Sequence, residues 1–257
     1  LRRIIVNKFT RIASAVAFSF AAVVTQAAQA TPVKNIVLVH GFFADGSGWK
    51  GVADILARDG YKVSVVQQPE TSLAEDVKAT TRMVDAQDGR SILVGHSYGG
   101  MVITEAGNNP KVAGLVYVAA FQPEAGESLK DLADRMPPAT KGIQAADGHL
   151  YFDAALFHAD FAADLPAADA RFMALSQVTP AVPAATATVS QAAWKTRPSW
   201  SIVSKDDRTV NPDLERFMAK RAGSRTVEIA GSHVAFIAHP ALVAKVIEQA
   251  AAIVGDK

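Results

Sequence analysis

Cysteine is absent from all 257 residues. No disulfide can staple the fold, no thiol can serve as nucleophile, and no Cys-ligated metal site can form. A chain of this length can bury enough apolar surface for one large domain held by its core alone. Internal repeats, coiled-coil heptads and long low-complexity tracts are also missing, which excludes solenoids and fibres. Neither sign of charge dominates: 26 Lys and Arg stand against 25 Asp and Glu. No Lys/Arg cluster occurs in the body of the chain, so no nucleic-acid partner is expected.

The opening segment has its own chemistry. "LRRIIVNKFTR" carries Arg2, Arg3, Lys8 and Arg11 and no acid, residues 12–24 are the apolar run "IASAVAFSFAAVV", and "TQAAQA" ends at Ala30. A basic stretch, a short apolar stretch and a small-x-small site predict a secretory signal peptide over residues 1–30, cleaved after Ala30. The apolar run is shorter than the roughly 20 residues that span a bilayer, so no stable membrane association is expected after cleavage. The expected product is periplasmic or secreted and slightly acidic.

From Lys34 onward short apolar runs alternate with helical patterns. Strands are predicted over 35–40, 61–66, 91–95, 112–120, 199–204 and 225–230, and helices over 49–60, 72–89, 98–109, 211–223 and 240–254. Ser72 followed by Glu75 has capping-box spacing. Strands apolar on both faces and separated by helices indicate an α/β fold, a mostly parallel sheet with helices on both sides. Such sheets carry their functional loops at the carboxyl ends of the strands, here after His40, Gly95 and Ala120. Residues 121–195 interrupt the alternation and are far longer than an ordinary crossover. They are expected to form a mostly helical cap over that edge, inserted into one domain spanning 31–257.

Gly95-His96-Ser97-Tyr98-Gly99 fits G-x-S-x-G between a strand and a helix. A serine on a tight, strained turn exposes its hydroxyl only if its neighbours two residues away lack side chains. The bland alternative is an ordinary serine in a βα loop. A serine nucleophile needs a general base, and six histidines are available. His40 ends a strand, His96 flanks the serine, His149 and His158 lie in the insertion, and His239 precedes a helix. His233, in "EIAGSHVAF", follows the last strand at the same sheet edge as Ser97 and comes after it in chain order. The orienting carboxylate should follow strand 199–204, where Asp206, Asp207 and Asp213 are candidates. Asp213 suits the first turn of the next helix, and Asp207 is favoured over Asp206. The oxyanion hole would use the N–H of Tyr98 and, beside the permissive Gly41, the N–H of Phe42.

"VLVHGFFADGSGW", "LVGHSYGGMV", "VYVAAFQPEAGES", "DDRTVNPDLERFMA" and "GSHVAFIAHP", in that order, resemble the α/β-hydrolase superfamily. The resemblance is greatest to the branch of hydroxynitrile lyases, plant methylesterases and pyrethroid-type carboxylesterases. It implies ester hydrolysis by Ser97, His233 and Asp207 without metal or cofactor. Gly41 and Val234 stand where the lyases of that branch have threonine and lysine, which speaks against cyanohydrin chemistry. Phe42, Phe43, Phe157 and Trp194, with Phe152, Leu156, Phe161 and Phe172, are candidates to shape a pocket for a small to medium uncharged ester. Two alternatives stay open: perhydrolase or haloperoxidase-type turnover on the same triad, and a hydrolase-like ligand-binding protein. Oligomeric state is not legible.

Overall fold

A computed structural model describes Leu1 and residues 33–255. Apart from Leu1, the predicted signal segment lies outside the described residues.

The most apolar runs form the centre of a sheet. Strands β1 (Asn35–Val39), β3 (Ser91–His96) and β4 (Val112–Val118) are buried at every residue. Near-continuous apolar sequence is what a strand covered on both faces requires. With β2 (Lys62–Val66), β7 (Ser199–Ser204) and β8 (Arg225–Ile229) they make six strands in the order β2-β1-β3-β4-β7-β8, every neighbouring pair parallel. The outer strands β2 and β8 carry most of the exposed strand positions, as edges do.

Helix α1 (Lys50–Arg58) packs on α10 (Pro240–Ile253), and α2 (Leu73–Asp85) packs on α3 (Gly99–Ala106). The chain steps outward from β1 to β2 and then returns to run the other way through β3 and β4. Right-handed crossovers therefore place the two helix pairs on opposite faces. The reversal falls between β1 and β3, where an open α/β sheet leaves a crevice beyond its carboxyl ends. Local signals set the helix ends: Ser72 accepts from the Glu75 N–H at the start of α2, and Gly223, at φ 64°, ends α8 (Pro212–Ala222).

The insertion is a cap of short elements. Helices α4 (Leu129–Arg135), α5 (Ala154–Asp160), α6 (Ala167–Leu175) and α7 (Val182–Thr186) surround an antiparallel hairpin, β5 (Ile143–Ala146) and β6 (His149–Phe152). The hairpin adds one strand pair to the mostly helical insertion. Its turn is Asp147-Gly148, both at positive φ, the dipeptide that two-residue hairpins favour. Phe152, Phe157 and Phe161 form a buried ring cluster within the cap, and Phe152 and Phe161 meet Phe43 of the main domain edge-on. Among the described residues no helix is long and apolar enough to cross a membrane.

Candidate active site

Four consecutive strand ends carry a non-glycine residue in the left-handed region: Phe43 (φ 63°), Glu70 (54°), Ser97 (53°) and Ala119 (44°). Each such residue costs on the order of 1–3 kcal/mol and persists only where its surroundings hold it. Around Ser97 the hold is steric. A Cβ on Gly95 would lie 2.5 Å from the Gly99 carbonyl oxygen, and one on Gly99 would lie 2.7 Å from the carbonyl oxygens of His40 and Val39. The carbonyl of Ser97 accepts from the N–H groups of Gly100 (3.0 Å) and Phe121 (3.2 Å). The G-x-S-x-G spacing is thus demanded by backbone contact on both sides of the turn.

His233 follows β8 through Gly231, which sits at φ 143°. Its Nδ1–H donates to Asp207 Oδ2 at 2.6 Å, and both side chains are fully buried. The other Asp207 oxygen accepts from the N–H groups of Thr209 (2.7 Å) and Val210 (2.9 Å). That fixes the carboxylate and leaves the His233 Nε2 lone pair as the ring's acceptor. Among the described residues Nε2 has no hydrogen-bond partner, the Ser97 hydroxyl included. Catalytic hydrogen bonds are often loose before substrate arrives.

The competing carboxylates lie elsewhere. Asp206 accepts from the Gly231 N–H at 3.0 Å, and Asp213 pairs with Arg216 on α8. Glu215, also on α8, is buried, and burial together with the nearby Asp207 charge pushes its carboxyl well above the usual range. His96, beside the serine, turns inward. Its Nε2–H donates to the His233 carbonyl at 3.0 Å, and burial, reinforced by His233, pushes its basicity well down.

Gly41 lets the loop after β1 reach the serine: a Cβ there would lie 2.5 Å from Ser97 Cβ. Among the described residues, neither the Phe42 nor the Tyr98 N–H donates to another protein group. Their rings stack at 3.9 Å, and the Tyr98 hydroxyl donates to Asp76 at 2.6 Å. Behind them lies a buried polar cluster without any local signal in the sequence. Asp76 also accepts the Glu70 N–H at 2.8 Å, and the Glu70 carboxylate lies 3.4 Å from His40 Nδ1. Burial pushes the Glu70 carboxyl up to about 7. The residues are distant in sequence and converge only because β1, β2 and β3 are neighbours.

Of the pocket candidates, Phe42 and Phe43 lie at the sheet edge, each 4% exposed. A cavity of about 220 Å³ opens beside them, lined by Phe43, Leu165, Met173, Val234, Phe236 and Ile237 among others. It abuts the site through the residue after Phe42 and the residue after His233. Phe157 is sealed inside the cap. Trp194 does not line the cavity: its indole donates to the Pro123 carbonyl at 2.7 Å and lies against Lys195 and Arg221. Among the described residues no three His, Asp or Glu side chains converge to hold a metal ion.

This arrangement has relatives. Over 129 residues, 44% of this chain and 53% of the relative's length, the sequence is 36% identical to a carbendazim hydrolyzing esterase of Nocardioides sp. (strain SG-4G). The chain therefore spans about half of that relative. A pyrethroid hydrolase from Sphingobium faniae JZ-2 superposes with a TM-score of 0.74 at 23% identity, covering 85% of this chain and 97% of that one. A methylesterase from Arabidopsis does so with a TM-score of 0.72 at 17% identity, covering 86% and 100%. At those identities the structural likeness is one of fold. A family model described as the alpha/beta hydrolase family matches residues 36–246, which take in the glycine-bracketed serine, the Asp207–His233 pair and all six strands except the first residue of β1. The chain belongs to the alpha/beta hydrolase family.

Proposed function

We propose that the protein is a carboxylic ester hydrolase acting through Ser97, His233 and Asp207. The observation that carries this reading is the buried 2.6 Å bond from His233 to Asp207 beside a serine held at positive φ. Ser97 Oγ attacks the ester carbonyl as His233 Nε2 takes its proton. The Phe42 and Tyr98 N–H groups receive the developing oxyanion. His233 then returns the proton to the leaving alcohol, and water activated by the same nitrogen releases the acid. Asp207 holds the imidazole in the required tautomer and stabilises its charged form.

The cavity beside Phe43 and Val234 is lined mainly by apolar side chains, with Asp45 and Asp169 among them and no Lys or Arg to receive an anion. It suits an uncharged acyl or alcohol group. The names of the esterase and pyrethroid hydrolase relatives are consistent with that class. Residues 1–30 are proposed as an export signal, with the hydrolase acting in the periplasm or outside the cell.

The test is hydrolysis of a chain-length series of p-nitrophenyl esters by wild type and Ser97→Ala. Turnover is expected for the wild type and its loss in a folded variant. Retained turnover in Ser97→Ala overturns the mechanism.

A further inference from the structure

The acid and histidine loops both lean on one short stretch of the cap, residues 160–164. Asp160 closes α5 and is 7% exposed. Its carboxylate accepts from Arg208 Nε at 2.6 Å and from the Thr140 hydroxyl at 2.7 Å, and its carbonyl accepts from the Thr209 hydroxyl at 2.8 Å. Thr140 completes the tie by donating its N–H to the Arg208 carbonyl at 2.8 Å. Arg208 and Thr209 are the two residues after Asp207, and the Thr209 N–H is one of the donors that fix the Asp207 carboxylate.

Four residues on, Asp164 holds the other loop. It accepts from the Ser232 N–H at 2.9 Å and from the Ser232 hydroxyl. Ser232 directly precedes His233. Gly231 is part of the same fit, because a Cβ there would lie 2.8 Å from the Asp164 carboxylate. Between the two acids, Phe161 is fully buried and sets its ring edge-on to the His233 imidazole, 5.0 Å between centroids. Five consecutive cap residues thus grip the loop after β7, the imidazole itself, and the loop after β8.

We propose that Asp160 and Asp164 are positioning residues, a two-point strap by which the cap sets the separation and orientation of Asp207 and His233. The inference rests on the esterase reading of that pair. β7 and β8 are hydrogen-bonded neighbours, and their loops stay bonded as far as Asp206 and Gly231; past those two residues no bond between the loops' backbones, among the described residues, controls the 2.6 Å contact. The strap supplies that control from outside the sheet. The cap, usually regarded as the part that selects substrate, then also tunes the base.

The experiment uses the full chain and three readouts: the rate of labelling by a fluorophosphonate, the pH profile of that rate, and the downfield proton resonance of the His233–Asp207 hydrogen bond. Asp160→Ala and Asp164→Ala are expected to label at least tenfold more slowly. The acid limb of their profiles should move to lower pH, because a loosened Asp207 supports the imidazolium less, and the resonance should broaden. Asp164→Asn, whose amide can accept from the Ser232 N–H and donate to its hydroxyl, is expected within threefold of wild type. Arg208→Ala removes a half-exposed partner and provides a folding-tolerant second probe of the Asp160 arm. Folded alanine variants with wild-type labelling, acid limb and resonance overturn the strap. A wild type that the probe does not label at Ser97 overturns the esterase reading, and the resonance still reports the strap without turnover.

Discussion

His96 donates its Nε2–H to the carbonyl oxygen of His233 at 3.0 Å. The residue next to the serine therefore holds the backbone of the proposed base rather than competing for its place. Its ring packs tilted against the His233 imidazole and against Phe236, 4.6 Å from each. Replacing it by phenylalanine keeps the packing and leaves that carbonyl without its donor. Loss of one buried hydrogen bond of this kind costs about 1–3 kcal/mol. His96→Phe is expected to lower the unfolding free energy measured in urea by that amount, with a lower midpoint, and to slow ester turnover severalfold. An unchanged midpoint would show that the bond contributes nothing to the loop.

Asp206 and Asp207 are adjacent and carry different loads. Only Asp207 meets the imidazole, while Asp206 ties its loop to Gly231. Asp207→Asn is expected to reduce kcat by roughly 10³–10⁴, because an amide presents the wrong partner to Nδ1–H. Asp206→Asn should stay within about tenfold of wild type. Steady-state kinetics on one aryl ester decides the assignment, and a larger loss in Asp206→Asn reverses it.

Tyr98 separates the two uses of one residue. Its N–H is assigned to the oxyanion, and its hydroxyl is spent on buried Asp76. Tyr98→Phe keeps the N–H and strips Asp76 of a partner, at a cost of about 1–3 kcal/mol. Thermal unfolding should show the loss, with kcat/KM changed less than fivefold when measured well below the transition. A collapse of kcat in folded protein would mean that the phenol acts in the reaction.

Glu70 makes stability depend on pH in a definite direction. Burial raises its folded pKa to about 7, against an ordinary value near 4.5. Between those values the folded chain keeps a proton that the unfolded chain has released. Its contribution is complete below about 4.5 and is lost as pH rises to about 7, amounting to roughly 3 kcal/mol. His40 and Asp76 face the same carboxyl. Glu70→Gln should flatten the decline in urea midpoint over that window relative to wild type. Parallel curves for the two proteins would refute the assignment.

Much of this was legible in the sequence because parallel central strands must be apolar on both faces. "NIVLV", "SILVGH" and "VAGLVYV" announced β1, β3 and β4 directly. The glycines around Ser97 were readable for a related reason, since only backbone fits where two turns touch. The hairpin of the cap was signalled only by its Asp147-Gly148 turn. Its strands are four residues each, too short for alternation to stand out among helices. Asp160, Asp164 and the Glu70–Asp76 pair carried no signal at all. Apart from the Glu70–Asp76 bond itself, their partners are far along the chain, and acids in helices and loops alike read as solvated until the fold encloses them. Trp194 illustrates the converse: an aromatic in the insertion looked like pocket lining, and its indole N–H found a backbone carbonyl instead.

The left-handed residues at the ends of β1, β2, β3 and β4 have a consequence for how this protein can be improved. Glycine at Ser97 would relax the turn by about 1 kcal/mol or more and would remove the nucleophile in the same step. Glycine at Phe43 would relax the neighbouring turn and strip a wall from the cavity. Random selection for heat resistance alone would therefore drift toward a sturdier and inert protein. Selection that keeps ester turnover in the screen would have to find its gains elsewhere, on α1 and α10, where no residue takes a positive φ.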